Sequence, residues 1–319
     1  MSSALVALIV SSTLVYSAPL IYTALGGVFS ERAGVVNVGL EGIMVIGAFA
    51  SVVASLYLGP TLGAEWTPWV AIFAGALAGM CFSLIHALAT VNLRTDHIIS
   101  GTVLNLIAPA LAVFLTRVLY EGKGETPSIQ HAFGYGNIPL LSKIPVLGPV
   151  LFQTTSRPAF FGMLVAVLVW FIIYKTRFGL RLRSVGENPQ AADTLGVNVY
   201  RMKYAGVLLS GFLGGMGGAV LANSITLKFS ISTVAGQGFM AMAAMIFGKY
   251  HPIGALLAAI FFGFAQTIAV IGSQIPVIES ITPVYLQIAP YIITIIVLVG
   301  LVGKSKAPAA DGKIYVKSK

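Results

Sequence analysis

The sequence has little charge and few of the residues that build metal, cofactor or nucleophile sites. Charged side chains make up 9% of its 319 residues, against about 25% in an average soluble domain. It has a single cysteine, Cys81 inside an apolar run, which excludes a disulfide framework and a cysteine-based zinc site within the chain. The histidines, His86, His97, His131 and His251, have no metal-ligand spacing such as H-E-x-x-H. No G-x-S-x-G nucleophile elbow is present. Gly303-Lys304-Ser305 resembles the end of a phosphate loop, but G-x-x-x-x-G-K-[ST] needs a glycine where Leu298 stands. ATP binding by this chain is therefore rejected, no cofactor is expected, and nothing supports an enzyme.

Apolar residues are abundant. Hydrophobic residues reach 57% apart from the 35 glycines, and mean hydropathy is +0.92. Polar groups could not cover such a surface in water. Disorder, collagen, a nucleic-acid-binding domain and a soluble enzyme are all poor readings. A helix needs about 20 apolar residues to cross a bilayer. Uncharged runs of that kind lie near 4–28, 35–58, 67–90, 98–119, 158–175, 204–224, 252–273 and 281–302, with a shorter, half-length segment at 234–248. They do not alternate as barrel strands do. The fold class is all-α: a polytopic transmembrane bundle of about nine embedded segments. The first run reads as a membrane helix, since it is too long for a signal peptide and has no positive charge ahead of it.

Charge then gives an orientation. The loops after the first, third, fifth and seventh segments, with the C-terminus, hold fourteen of the 19 Lys and Arg residues; the other side holds Arg117, Lys123, Lys143, Arg157 and Lys228. The positive-inside rule sets the N-terminus outside and the C-terminus in the cytoplasm. The chain divides into a transmembrane domain, 1–303, and a basic tail, 304–319, read as a disordered topogenic segment that meets anionic lipid. Gly and Pro between 120 and 157 suggest a folded external loop with one short helix. The internal segment 176–203 is the most basic stretch before the tail.

Within it, Asn188 is a good N-cap, Pro189 suits the first helical position and Gly196 a left-handed stop. Gln190, Ala191, Ala192, Asp193, Thr194 and Leu195 fill a two-turn helix that is too short to hold without packing on its own protein or on a partner. A second constellation is Asn37 and Glu41, four apart on one helical face, in a stretch with Gly34, Gly39 and Gly42. A carboxylate at membrane depth must face the interior or a wet cavity; it reads either as a polar station on a solute path or as a hydrogen-bond hub anchoring a broken helix. Asn105 and Gln237 are further amides in or near spans, with Asn223 and Gln266, and suit a neutral solute that donates and accepts hydrogen bonds. Gly211/Gly215 and Gly214/Gly218 form overlapping small-xxx-small pairs, as do Gly75 and Gly79, and read as helix-packing faces. Gly236 and the stretch Gly248–Gly254 bracket the short segment, a pattern that points to a transport pathway.

Three stretches resemble the permease subunits of ATP-binding-cassette importers of the ribose, branched-chain amino acid and nucleoside superfamily. They are Glu31-Arg-Ala-Gly-Val-Val-Asn-Val-Gly-Leu-Glu-Gly-Ile-Met, Gly186-Glu-Asn-Pro-Gln-Ala-Ala-Asp-Thr-Leu-Gly196, and Gly238-Phe-Met-Ala-Met-Ala-Ala-Met-Ile-Phe-Gly-Lys-Tyr-His-Pro-Ile-Gly-Ala. The resemblance runs from about residue 10 to 303, and the first stretch is similar to the nucleoside type in particular. It implies a pore of two permease chains, a heterodimer in this type, in the inner membrane of a bacterium. It also implies an ATPase on a separate chain that docks on Asn188–Gly196, a solute-binding lipoprotein, and a nucleoside as cargo. A simple sugar or a branched-chain amino acid is the alternative cargo; a stand-alone secondary transporter is the alternative class. Nucleic acid is not expected as a partner.

Overall fold

The computed structural model describes residues 3–133, 135–136, 155–272 and 306–317, with single residues 285, 288 and 292. The expected last span, 281–302, and most of the external loop lie outside the described residues. The regular structure among the described residues is helical apart from a two-residue antiparallel pairing of Tyr135 with Ser156 and Gly136 with Thr155.

The first helix, α1 (Ser3–Arg32), carries no charge before Glu31 and is the axis of the bundle. Leu20, Ile21, Tyr22, Leu25 and Phe29 are all buried in it, and the Tyr22 hydroxyl donates to the carbonyl of Pro158 at 2.7 Å. The next element, α2 (Leu40–Ala87), joins two expected spans. Gly63, with φ 70° and ψ 179°, breaks it; that backbone region is essentially closed to residues with a Cβ. The two arms, 40–62 and 64–87, fold back on each other, so that a Cβ on Gly75 would stand 2.5 Å from the carbonyl oxygen of Gly47.

The helix α7 (Val199–Leu221) lies against both arms. Gly211 and Gly215 meet Gly79 and Gly75 on the second arm, while Gly214 and Gly218 meet Ile43 and Met44 on the first. Gly215 also meets Gly47 of the first arm, so the three segments converge at this glycine. Burying apolar surface gains little when the surroundings are lipid, so close backbone approach is what holds such a seam.

Two helices lie at the periphery, α3 (His97–Leu119) and α4 (Arg157–Lys175). They present Ile98, Leu106, Phe114, Leu164 and Phe171 outward, as lipid-facing helices do. A half-length helix, α8 (Gln237–Phe247), and a full-length one, α9 (Pro252–Ile271), pack on α1.

One rim of the bundle gathers basic loops. The Arg32 Nε donates to the carbonyl of Tyr250 at 2.9 Å, and the hydroxyl of Tyr204 donates to Asn92 at 2.5 Å. At this rim the segment expected as a basic loop with one short helix holds two helices, α5 (Arg177–Glu187) and α6 (Pro189–Thr194). Leu182 and Val185 of α5 face inward while Arg177 and Arg181 face out. That amphipathic pattern is hidden in a composition dominated by arginine. At the opposite rim, Thr126 N–H donates to Phe229 at 3.0 Å and Lys228 pairs with Glu125 at 2.8 Å.

The tail corrects the sequence expectation of disorder. Residues 306–317 form a strap against the basic rim. Ala310 N–H donates to Gly186 at 2.9 Å, and the Lys203 ammonium donates to the carbonyls of Gly34 and Lys313 at 3.3 and 3.2 Å. Tyr315 is buried among Val185, Ala192 and Val199. The low hydropathy of the tail concealed this, because a few apolar anchors and backbone bonds hold it in place of an amphipathic helix.

The carboxyl of Asp311 lies against Glu31, with Lys203, Tyr250 and Arg32 nearby. Burial pushes Asp311 above the usual carboxylate range, although Glu31, the Gly312 N–H and Lys203 pull the other way. A raised carboxyl favours the docked strap in its protonated form, so the stabilisation is complete below about pH 4 and fades as pH rises through the raised value.

Two outcomes follow from this packing. Gly215→Val should lower the melting temperature in detergent, with overpacking costing about 1–3 kcal/mol, whereas Gly124→Val, at an open position, should melt as wild type; equal melting of both would remove the seam as a stabilising feature. Trypsin cleavage after Lys313, taken as the ratio of wild type to Asp311→Asn at each pH, should rise as pH climbs above the ordinary aspartate range of about 4. A flat ratio would show that Asp311 does not govern docking of the strap.

Candidate functional site

Between α1 and α2 the chain runs non-helically from residue 33 to 39 inside the bundle, and a backbone there must find partners within the protein. Ser30 donates its hydroxyl to the carbonyl of Val35 at 2.6 Å. Val36 N–H donates to His97 Nδ1 at 3.2 Å, and the carbonyl of Val36 meets His86 Nε2 at 3.0 Å. His97 Nδ1 must therefore accept, which leaves its proton on Nε2, and His86 Nε2 must donate to the carbonyl. The second ring nitrogen of His86 is in hydrogen-bond contact with the hydroxyl of Ser100 at 2.9 Å. Asn105 clamps the end of the break: its oxygen accepts from Gly42 N–H at 2.8 Å and its amide donates to the carbonyl of Val38 at 2.9 Å.

Asn37 is fully buried in the middle of this break. Its amide donates to the hydroxyl of Ser210 on α7 at 3.0 Å, and its own N–H reaches the Glu31 carboxylate at 3.5 Å. The structure therefore seals Asn37 away from solvent and gives it a bracing contact.

Glu41 does a related job across the bundle. Its two carboxylate oxygens accept from the N–H groups of Gly236 and Gly238, each at 2.7 Å. These are among the orphan donors at the start of α8, where Gly236 caps in a left-handed conformation with φ 89°. A carboxylate on exposed N–H groups also meets the positive end of the helix dipole. Gly238 is required by the approach, for a Cβ there would stand 2.5 Å from the Cα of Glu41.

Gln237 is half-buried at the same helix start. Its side chain pairs with Gln266 of α9, whose amide donates to the Gln237 oxygen at 3.0 Å and to the sulfur of Met240 at 2.8 Å. Glu41 and Gln237 thus come together at the N-terminus of the half-helix, while Asn37 and Asn105 brace the break that leads into α2. Sequence reasoning passed over Ser210, found no role for His97 and treated Gln266 only as a general amide, whereas His86, inside a span, is the hydrogen-bonded core histidine that its position suggests. The histidines lack ligand spacing because their partners are backbone groups of a distant loop.

At the basic rim, Asn188 accepts from Ala191 N–H at 3.0 Å and caps α6. Gly196, with φ 81°, closes it, Gly196 N–H donating to Asp193 at 2.9 Å and Val197 N–H to Ala192 at 3.0 Å. Ala192 is buried, whereas Ala191 and Leu195 are exposed, Leu195 by 84%. The helix is held from within and offers its outer face.

Known proteins align with the chain along its length. It is 60% identical over 312 residues to the nucleoside ABC transporter permease protein NupC of Lactococcus lactis, covering 98% of both chains. It is 51% identical over 315 residues to the guanosine ABC transporter permease protein NupQ of Bacillus subtilis, covering 99% of this chain and 98% of that one. A second guanosine ABC transporter permease protein of the same bacillus, NupP, is 27% identical over 293 residues, covering 91% of this chain and 80% of that one. The family model described as the permease component of the branched-chain amino acid transport system matches residues 9–299. With one family model spanning nearly every described helix, and relatives above half identity over the full length, the chain belongs to the branched-chain amino acid transport system / permease component family of ABC transporters.

Proposed function

We propose that this chain is the membrane-spanning permease subunit of an ABC importer for nucleosides, driven by an ATPase on a separate chain. The observation that carries the cargo is the near full-length likeness to permeases named for nucleoside and guanosine. A nucleoside is neutral and rich in donors and acceptors, and the amide pair Gln237–Gln266 at a half-helix start has the chemistry to meet it. Glu41, Asn105 and Asn37 act on the path through structure: they hold the broken helices that frame it.

The ATPase docks on α6, where Asn188, Pro189 and Gly196 shape a short helix with an exposed outer face and Ala191, Ala192 and Asp193 fill it. The basic rim is the cytoplasmic side, a reading supported by the convergence of Arg32, the loop at Tyr250 and the strap there. The N-terminus then lies outside, in the cytoplasmic membrane of a bacterium. A solute-binding lipoprotein delivers cargo to the opposite rim. The occurrence of two different guanosine permease proteins in one bacillus, at 51% and 27% identity to this chain, favours a heterodimeric pore.

Proteoliposomes holding this chain with its second permease, ATPase and binding protein should take up labelled guanosine or uridine only with ATP, and excess ribose or leucine should not compete. Uptake by this chain alone down an ion gradient would sink the reading. Glu41→Ala should cut transport at least tenfold, because two charge-assisted bonds worth about 1.5–3 kcal/mol each are lost at the start of α8; Glu41→Gln, which keeps one acceptor, should fall between. Gly196→Val should force a β-branched residue into left-handed backbone at about 1–2 kcal/mol. Solute-stimulated ATP hydrolysis should then drop while the binding protein still delivers solute, and unchanged stimulation would mean that α6 is not the docking helix.

A further inference from the structure

The strap has a second face. Its inner face is anchored by Ala310 on the carbonyl of Gly186, by Tyr315 in the apolar nest under α6, and by Lys313 through its carbonyl on Lys203. The ring of Tyr315 stacks edge-on to Tyr200 at 5.6 Å, on the first turn of α7. Its outer face leaves Ile314 and Val316 half exposed and Lys306, Lys313 and Lys317 exposed.

Between the strap and the start of α6 lies an open groove of about 280 Å³ whose walls include Asn188, Pro189, Gln190, Lys313, Ile314 and Val316. Glu187 also borders it, but accepts from Ala309 N–H at 3.2 Å. The groove is thus polar along the helix and basic and apolar along the strap, and it is continuous with the cap of α6. We propose that strap 306–317 is part of the ATPase-docking surface, and that the partner seats an acidic, partly apolar surface in the groove between the strap and α6. The inference rests on the docking of the ATPase at α6 and adds a second contact element to it.

The chemistry follows from the lining. Charge of one sign on the strap recruits the opposite sign and sets the rate of encounter more than the final affinity. Ile314 and Val316, standing out beside a polar helix cap, supply apolar area that the bound partner would take from water. The strap also reaches the end of α1 through Asp311 and Glu31. A push on the docked pair would therefore reach the end of α1 directly through the strap, besides α5 and α7, on which α6 itself packs.

The test measures affinity of the cognate ATPase subunit for the full permease in nanodiscs of neutral lipid, by surface capture. Ile314→Asp and Val316→Asp change only exposed side chains and should leave the melting temperature unchanged. Each should weaken binding about tenfold, the scale of an interface residue worth about 1.4 kcal/mol. Lys313→Glu with Lys317→Glu should slow association. Tyr315→Ala, which frees the strap, should weaken binding further; if it also lowers melting, the two outer-face variants decide. Wild-type affinity in both aspartate variants, with Leu195→Asp still weakened, would overturn the inference and leave α6 as the docking site. No binding by the wild type would overturn both. Variant effects that appear only in discs containing anionic lipid would show the strap to be a lipid contact and overturn the inference as well.

Discussion

The structure depends on one constraint: a backbone that stops being helical inside a membrane must have every N–H and C=O answered from within the protein. This chain breaks at residues 33–39 and again ahead of α8, and at each break side chains from distant elements supply the missing partners. Ser30, His86, His97, Asn105 and Lys203 serve the first break. Glu41 serves the second. Few polar side chains suffice because Asn105 and Glu41 each answer two backbone groups. The same commitment explains why a chain with so few acids can afford a carboxylate at membrane depth: its oxygens replace the turn of helix that α8 lacks.

The glycine seam and the polar braces work together. Backbones packed as closely as those of α7 and the two arms of α2 leave no room for side chains, so the polar residues that fix the broken segments stand at the edges of the seam. Ser210 is one of them, next to Gly211 and a helix turn from Gly214, holding Asn37 in place. Rigid-body motion of α7 would carry that brace, α6 and the strap with it, because α7 starts at the apolar nest under α6 and the strap.

Much of this could be read in advance. The spans were legible because length and hydropathy are local properties, and the cap, first-turn proline and stop glycine of α6 are set by backbone preferences within nine residues. That Glu41 needs internal partners could also be read from a lone carboxylate in an apolar run. The identity of those partners could not, since Gly236 and Gly238 lie almost two hundred residues away in the chain. The helix α5 was masked by arginines whose hydrophobic neighbours face inward. The strap was masked by its polarity: its anchors are backbone bonds and one buried tyrosine, neither of which leaves a periodic pattern.

The sequence by itself determined that this is a membrane bundle, which loops share its basic side and where a short capped helix interrupts them, because each of these follows from composition or from contacts between near neighbours. The tertiary structure alone decided that Gly63 folds two spans into a hairpin, that Asn37 is sealed while Gln237 meets Gln266, and that the tail is bound to α5 and α6. The physical reason is the same in each case. Those outcomes are contacts between residues far apart in the chain, and only the packed bundle determines which distant partner satisfies each buried polar group.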